Sequence, residues 1–345
     1  MKHLTTYITL FSALLMANLC SSCSDNSIPG TDDNNAVQFS TTISSDNDWN
    51  PLSRVIYDGE PGHEKFVDGD KILVNGYYLP GGIDNNGEPD FMYNQQMTFN
   101  GTDWVYNPIK YWPNNKGDKL KFMAIYPYED PARTQIGVTE KGYPIYRFED
   151  CNFNNDCLAT EFVVGEKTSM GEKVTLNFRH IMAKLRVQVK VPEFIDEIPP
   201  VKVEVKELWH HEFAKYGTFS GFGENGEPIW SDVSDKIVSI RDDKGYIINS
   251  GETVLLNNFT TFYPPSKVDN VSLIYRIIDS NGNVVKDYPG GYGETIIEKG
   301  KGIEIKAGYE TTITVTINIY GIDNVQASSR PIAKWKDTTT TPVTF

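Results

Sequence analysis

Leu185-Arg186-Val187-Gln188-Val189-Lys190-Val191 alternates apolar with charged or polar side chains, and Pro192 ends the run. An extended chain sends successive side chains to opposite faces, so a period of two describes a strand with one buried face. The same signature spreads outward in both directions. Upstream, Val37, Phe39, Thr41 and Ile43 alternate with Gln38, Ser40 and Thr42, and residues 71–79, 92–99, 119–127 and 174–178 are strand-like. Downstream, residues 201–206, 237–240, 259–263, 271–278, 294–298 and 311–320 continue the pattern. Nearly every connection carries Gly, Asn, Asp or Pro, and Asn100-Gly101 sits between two strand segments as a hairpin turn would. No helical period interrupts this series. The expected class is therefore all-β, built as β-sandwiches. A division near Met182 to Pro192 shares the strands most evenly, giving domains at 36–184 and 185–345.

The first residues decide the compartment. Met1-Lys2-His3 is a short cationic start, residues 4–19 are mostly apolar, and Leu19-Cys20-Ser21-Ser22-Cys23 follows. The apolar run is too short and too interrupted for a membrane span. It resembles a bacterial lipoprotein signal, which makes residues 1–22 the removed segment and Cys23 the lipidated first residue of the mature chain. Cys20 is the rival, with bulky Leu19 before it. Residues 23–35 are Asp, Asn, Ser, Gly and Pro with few apolar side chains, as in a solvated tether. Such a protein would meet the outer membrane through its lipid and work at the cell surface.

A formal charge of −14 and a pI near 4.9 argue against nucleic acid and against anionic membrane surfaces as partners. Beyond the signal region the only cysteines are Cys151 and Cys157, which could close a small disulfide or remain two thiols. His63, His180, His210 and His211 form no metal spacing, and adjacent histidines on a strand cannot both face one ion. The loops at Asp84 and Asp279 are oxygen-rich but lack the glycine and glutamate positions of an EF-hand. There is no nucleophile elbow, dinucleotide fingerprint or phosphate loop. These absences lead to an expectation of no catalytic residue, no metal and no cofactor. Aromatic residues make up 12% of the chain, so Trp49, Trp104, Trp112, Trp209 and Trp230 are candidates either for sandwich cores or for stacking on sugar rings. The second option would make the chain a surface glycan-binding lipoprotein.

Several stretches together resemble the fimbrillin family of lipoprotein-derived pilins and pilus accessory subunits. They are the signal with Cys23, the segment 37–43, Ser53-Arg54-Val55 leading to Phe66-Val-Asp-Gly-Asp-Lys-Ile-Leu-Val74, and Ile109-Lys-Tyr-Trp-Pro113 with Leu120-Lys-Phe-Met-Ala-Ile-Tyr-Pro-Tyr128. Leu176-Asn-Phe-Arg-His-Ile-Met-Ala-Lys-Leu185 and Lys306-Ala-Gly-Tyr309 complete the series. The resemblance implies two tandem transthyretin-like β-sandwiches in a structural subunit of a fimbria involved in adhesion. It also implies assembly by strand exchange: a protease cuts after Arg54, the first strand (Val37, Phe39, Thr41, Ile43) leaves, and another subunit's strand fills the groove. Arg54 reads equally well as a solvated loop arginine. The donor region would lie within 322–345, where Pro331 and Pro342 each remove a ladder donor. Expected partners are other fimbrial subunits and host or bacterial surface receptors.

Overall fold

The computed structural model describes residues 35–43, 66–128, 133–149, 156–167, 172–193, 199–331 and 343–344. The signal and tether up to residue 34, together with Cys23, Arg54, His63 and Cys151, lie outside the described residues. In chain order the first half forms β1 (Gln38–Ile43), β2 (Lys71–Leu79), β3 (Met92–Phe99), β4 (Trp104–Val105), β5 (Lys119–Tyr126), β6 (Arg133–Val138), β7 (Pro144–Phe148), β8 (Leu158–Thr160), β9 (Val163–Gly165) and β10 (Lys173–His180). The second half continues with β11 (Ala183–Lys190), β12 (Val201–Phe222), β13 (Pro228–Asn249), β14 (Thr253–Leu255), β15 (Thr261–Tyr263) and β16 (Ser266–Asp279). It closes with β17 (Val284–Lys286), β18 (Glu294–Ile297), β19 (Ile303–Ile305), β20 (Tyr309–Asn318), β21 (Gly321–Pro331) and β22 (Val343–Thr344). The protein is all-β, as the alternation predicts.

Three sheets carry the fold. The first runs β1-β10-β8-β5-β2-β3-β4, with β9 beside β5. The second runs β14-β11-β20-β21-β22, with β15 on β11, and the third is built on β12, which carries β13, β16 and β7. Sheets two and three face each other across a core of Leu185, Val187 and Val189 from β11, Ile313 and Val315 from β20, and Val203, Leu208, Leu273 and Tyr275 from β12 and β16. These are the inward members of the alternating pairs. Each fully buried aliphatic or aromatic side chain stabilises by about 1.5–3 kcal/mol, which makes this interface the main support of the second half.

The first sheet curls on itself and encloses its own core: Ile72 and Val74 of β2, Leu120, Phe122 and Ala124 of β5, and Leu176 and Phe178 of β10. β5 is buried along nearly its whole length, because its other face is covered too. Met123 and Ile125 on that face join Leu73, Tyr146, Phe148, Ile181, Phe219 and Phe222 in a third cluster. This cluster takes residues from both sides of the 184/185 position. β7 enters the third sheet by pairing with Gly217, Thr218 and Phe219 of β12. Arg179 reaches from β10 to the carbonyl of Gly226 in the β12–β13 turn, 2.9 Å away, and to Glu161 at 3.1 Å. The two halves therefore share a strand pairing and a core.

The β12–β13 hairpin is far longer than the strands expected at 201–206 and 237–240. Its pairing shifts register at five places, one of them between Val205 and Glu207. A bulge adds a residue and reverses which parity faces inward. Val205 and Leu208 are both fully buried although they are three residues apart.

Candidate assembly site

β1 is an edge strand whose side chains nevertheless sit in a core. Val37, Phe39 and Ile43 are 1%, 2% and 4% exposed, while Gln38, Ser40 and Thr42 face outward and are half-buried. Phe39 meets Phe122 edge-to-face at 5.1 Å between ring centroids and Tyr106 at 6.1 Å. Thr41, between the buried positions, accepts a hydrogen bond from Trp104 Nε1 at 3.1 Å. The four residues singled out from the sequence are thus placed together, three as apolar plugs and one as a hydroxyl acceptor.

The backbone of β1 is paired on one side. It runs parallel to β10, with Gln38 opposite Lys173 and Ile43 opposite Phe178, and it has no second ladder partner among the described residues. β8 touches only Phe178 to His180 of β10, so Lys173 to Asn177 have β1 as their sole paired neighbour among the described residues. Outward hydroxyls support the pair: Ser40 Oγ lies 3.0 Å from Thr175 Oγ1, and Thr42 donates to Asn177 Oδ1.

On the other side of β1 the curled sheet brings up its opposite edge. Val37 N donates to Lys110 O at 2.9 Å, Trp112 N donates to Asn35 O at 3.1 Å, and Tyr106 OH donates to Val37 O at 2.7 Å. Burial pushes the Tyr106 hydroxyl up to about 12, against the lowering effect of the Lys110 backbone, so it remains a donor across the working pH range. Between these contacts and Trp104 a cleft of about 350 Å³ remains, lined by Val37, Phe39, Trp104, Tyr106 and Ile109. Lys173 and Asp103 form an ion pair at its mouth, 2.5 Å apart.

The chain returns to described structure at Phe66, which is buried and packs edge-to-face on Trp104, Tyr126 and Phe178. Residues 44–65 are thus the covalent link between β1 and the body that Phe66 anchors, and Arg54 falls within that link. A cut there leaves β1 held by non-covalent contacts: the β10 ladder, its three apolar side chains and the hydrogen bonds to Trp104, Tyr106, Lys110, Thr175 and Asn177.

Residues 53–335 match the fimbrillin-like family. The chain belongs to that family. The match begins after β1 and stops before residues 336–345, so it leaves out the first strand but includes Arg54 and residues 322–335 of the donor region. This fimbrillin-like chain is 29% identical over 124 residues to the fimbrium subunit Fim1C of Phocaeicola vulgatus, a stretch covering 30% of the chain and 32% of that relative. The matched part is thus about a third of the curated relative's length. A fimbrial protein of Bacteroides vulgatus has the same fold, with a TM-score of 0.56 at 15% identity over 86% of this chain and 99% of that one. A candidate cell-adhesion protein of Bacteroides uniformis gives a TM-score of 0.48 at 15% identity, with the same coverage of each chain.

The remaining residues of interest in the fimbrillin-like chain are placed as follows. β21 (Gly321–Pro331), which overlaps the candidate donor region from Ile322 onward, is paired along its length with β20. Val343 and Thr344 pair back onto Ala327 and Gln326 of β21. Trp104 and Trp112 are buried in the first core, and Trp230 packs at the third cluster with its Nε1 donating to Ile181 O at 3.0 Å. Trp209 packs against exposed Tyr292, with ring centroids 5.0 Å apart, and Trp49 lies outside the described residues. Cys157 is buried in the third cluster. His180 contacts Asp156, and His210 lies 3.2 Å from Tyr263 OH. Asp84 binds the buried ammonium of Lys121 at 2.6 Å, and Asp279 accepts the backbone N–H groups of Asn281 and Asn283. Both oxygen-rich loops therefore spend their carboxylates within the protein. Among the described residues no group of three or more His, Cys, Asp or Glu could hold a metal ion.

A second feature escaped sequence reading altogether. Glu310, 5% exposed, gathers Lys184 at 2.9 Å, Arg186 at 3.1 Å and Arg330 at 2.5 Å, which ties β11, β20 and β21 together. Burial pushes its carboxyl up, but the Lys184 and Arg186 charges and the hydrogen bonds from Lys184 and Arg330 outweigh this and hold it at about 2. The four residues are scattered over three strands, so no local pattern announces them.

Proposed function

We propose that this chain is a structural subunit of a bacterial surface fimbria, without enzymatic activity, delivered to the outer membrane as a lipoprotein through Cys23 and built as two sandwich units. Assembly goes by strand exchange at the β1 groove with other fimbrial subunits, and the finished fibre serves adhesion to host or bacterial surfaces. The observation that carries this reading is the state of β1: a one-sided, parallel edge strand whose Val37, Phe39 and Ile43 fill a core.

The energetics favour exchange over simple loss. Three buried side chains at about 1.5–3 kcal/mol each place roughly 5–9 kcal/mol of burial on β1. Net domain stability is about 5–15 kcal/mol, so an emptied groove would consume most of the margin of the first half. It would also leave unpaired N–H and C=O groups along Lys173 to Asn177, which a new strand satisfies at once. Family membership and the fimbrial relatives support the fimbrial assignment.

The test uses the full chain with a specific protease site replacing residues 54–59. After cutting, a labelled synthetic peptide of residues 36–44 is offered in excess. The reading expects the peptide to replace the resident strand while the circular dichroism of the body is kept. Failure of this peptide to enter under native conditions refutes strand exchange. Lipidation is checked separately by the mass of the amino-terminal peptide from native membranes, which should be lost in Cys23→Ser.

A further inference from the structure

We infer that the outer face of the second sheet is a binding site for an acidic polysaccharide, one that carries carboxylates on its sugar rings. This rests on the adhesion reading above for its biological role, but its geometry is independent of β1. β11, β20 and β21 pair in registers that align Lys184 with Glu310 and Arg330 at one end, and Lys190 with Thr316 and Asn324 at the other. Leu185, Val187, Val189, Ile313 and Val315 point into the core, so the even-numbered side chains make the opposite face. Its twelve positions hold four cations and one carboxylate, and otherwise only hydroxyls and amides.

The charge on this face is arranged for an anion. Glu310 draws Arg186 and Arg330 onto one of its oxygens, at 3.1 and 2.5 Å, and Lys184 onto the other at 2.9 Å. Three cations against one carboxylate leave an excess of positive charge, and Glu310 fixes both guanidinium forks in place before any ligand arrives. Lys184 and Glu310 are nearly buried, but the Arg330 side chain is 41% exposed and open to a second carboxylate. Lys190 adds an exposed fourth cation, four residues from Arg186 and so about 13 Å along the strand. The whole chain carries a formal charge of −14, yet its field is screened beyond about 8 Å at physiological salt, so an approaching polyanion senses this face first. The surface between the cations favours a sugar over an acidic protein. Protein partners are held through aromatic and large aliphatic anchors, and none stands among the twelve positions. Thr312, Thr314 and Ser328 offer instead a half-buried field of hydroxyls, with Gln188 donating to Thr314 Oγ1 at 2.8 Å. Such hydroxyls both donate and accept, which matches the hydroxyls of a sugar, and cations this far apart suit a chain of several sugars rather than a single ring.

The test uses the full, uncut chain. Polygalacturonate is titrated by calorimetry at low salt, with dextran as the neutral polysaccharide and polyglutamate as the acidic polymer without sugar rings. Polygalacturonate should bind, dextran should not, polyglutamate should bind at least tenfold more weakly, and added salt should weaken the complex. Lys190→Glu combined with Gln326→Glu, both at exposed positions, should weaken polygalacturonate at least tenfold while circular dichroism and the thermal midpoint stay unchanged. Thr314→Val, which keeps the shape and removes one hydroxyl, should weaken polygalacturonate more than polyglutamate. Absence of polygalacturonate binding, equal binding of polyglutamate, or a doubly substituted chain that binds as tightly as wild type would overturn the inference. Because nothing is cut, that failure leaves the strand-exchange reading standing, and failure of the exchange leaves this site standing.

Discussion

Replacing Phe39 by alanine removes the largest plug of the β1 groove. Its ring is 2% exposed and packs against Phe122 and Tyr106, so the substitution deletes buried aromatic surface and leaves a hole that two flanking rings cannot close without moving. Buried Phe→Ala changes cost about 3–5 kcal/mol, and an edge strand that relaxes inward should fall near the lower end, about 3 kcal/mol. Gln38→Ala, one residue earlier on the outward face, should change stability by less than about 0.5 kcal/mol. The two variants differ by one position and should differ at least about sixfold in cost. Urea titrations followed by circular dichroism give the comparison directly. In the chain cut between β1 and β2 the same loss should appear as release of the β1 fragment about a hundredfold faster, at 1.4 kcal/mol per tenfold. A Phe39→Ala cost below about 1 kcal/mol, or one equal to that of Gln38→Ala, would refute the claim that β1 is a plug.

Three further outcomes follow from other parts of the structure. Thr41→Val keeps the shape of β1 but leaves Trp104 Nε1 without its acceptor, so it should cost about 1–2 kcal/mol in the same titration, more than Thr42→Val on the outward face. Glu310 has a folded-state pKa of about 2 against an ordinary 4.5, so its contribution is present above pH 4.5 and is lost as pH falls toward 2. At about 1.4 kcal/mol per unit this amounts to roughly 3 kcal/mol, and Glu310→Gln should be destabilised by about that much at pH 7 while converging on wild type near pH 2. Gly221 has φ +95°, and a Cβ there would lie 2.5 Å from Tyr143 Cγ. Gly221→Ala should therefore cost about 2–4 kcal/mol and loosen the third cluster, read as increased amide exchange in β7 and β12.

Much of the fold was legible because alternation is a local signal. β1, β10, β11 and β20 show it, and their alternate apolar residues are the buried ones; β2, β3 and β5 are strands where the sequence places them, but β2 and β5 are buried on both faces. The missed parts have physical reasons. β6 (Arg-Thr-Gln-Ile-Gly-Val) has no apolar stripe because its side chains are half-buried or exposed. β12 and β13 change parity at bulges, so a fixed period of two breaks although the strand continues. The third cluster joins Leu73 to Phe219 and Phe222, partners far apart in sequence, and nothing in either neighbourhood reports the meeting. The candidate site was legible as a strand, Val37 to Ile43, but its edge position and parallel pairing with β10 came only from the structure. The tryptophans show the opposite limit: composition admitted a sugar platform, and folding placed Trp104 and Trp112 in the core instead.

The most direct test of the central claim is native-state hydrogen exchange on the intact chain. If β1 is a separately removable strand, its amides and those of β10 from Lys173 to Asn177 should exchange together through an opening that costs less than global unfolding, while β2 and β5 stay protected. Equal protection of β1 and β5, with both exchanging only at the global unfolding free energy, would mean that β1 belongs to the indivisible core, and the strand-exchange account would be wrong.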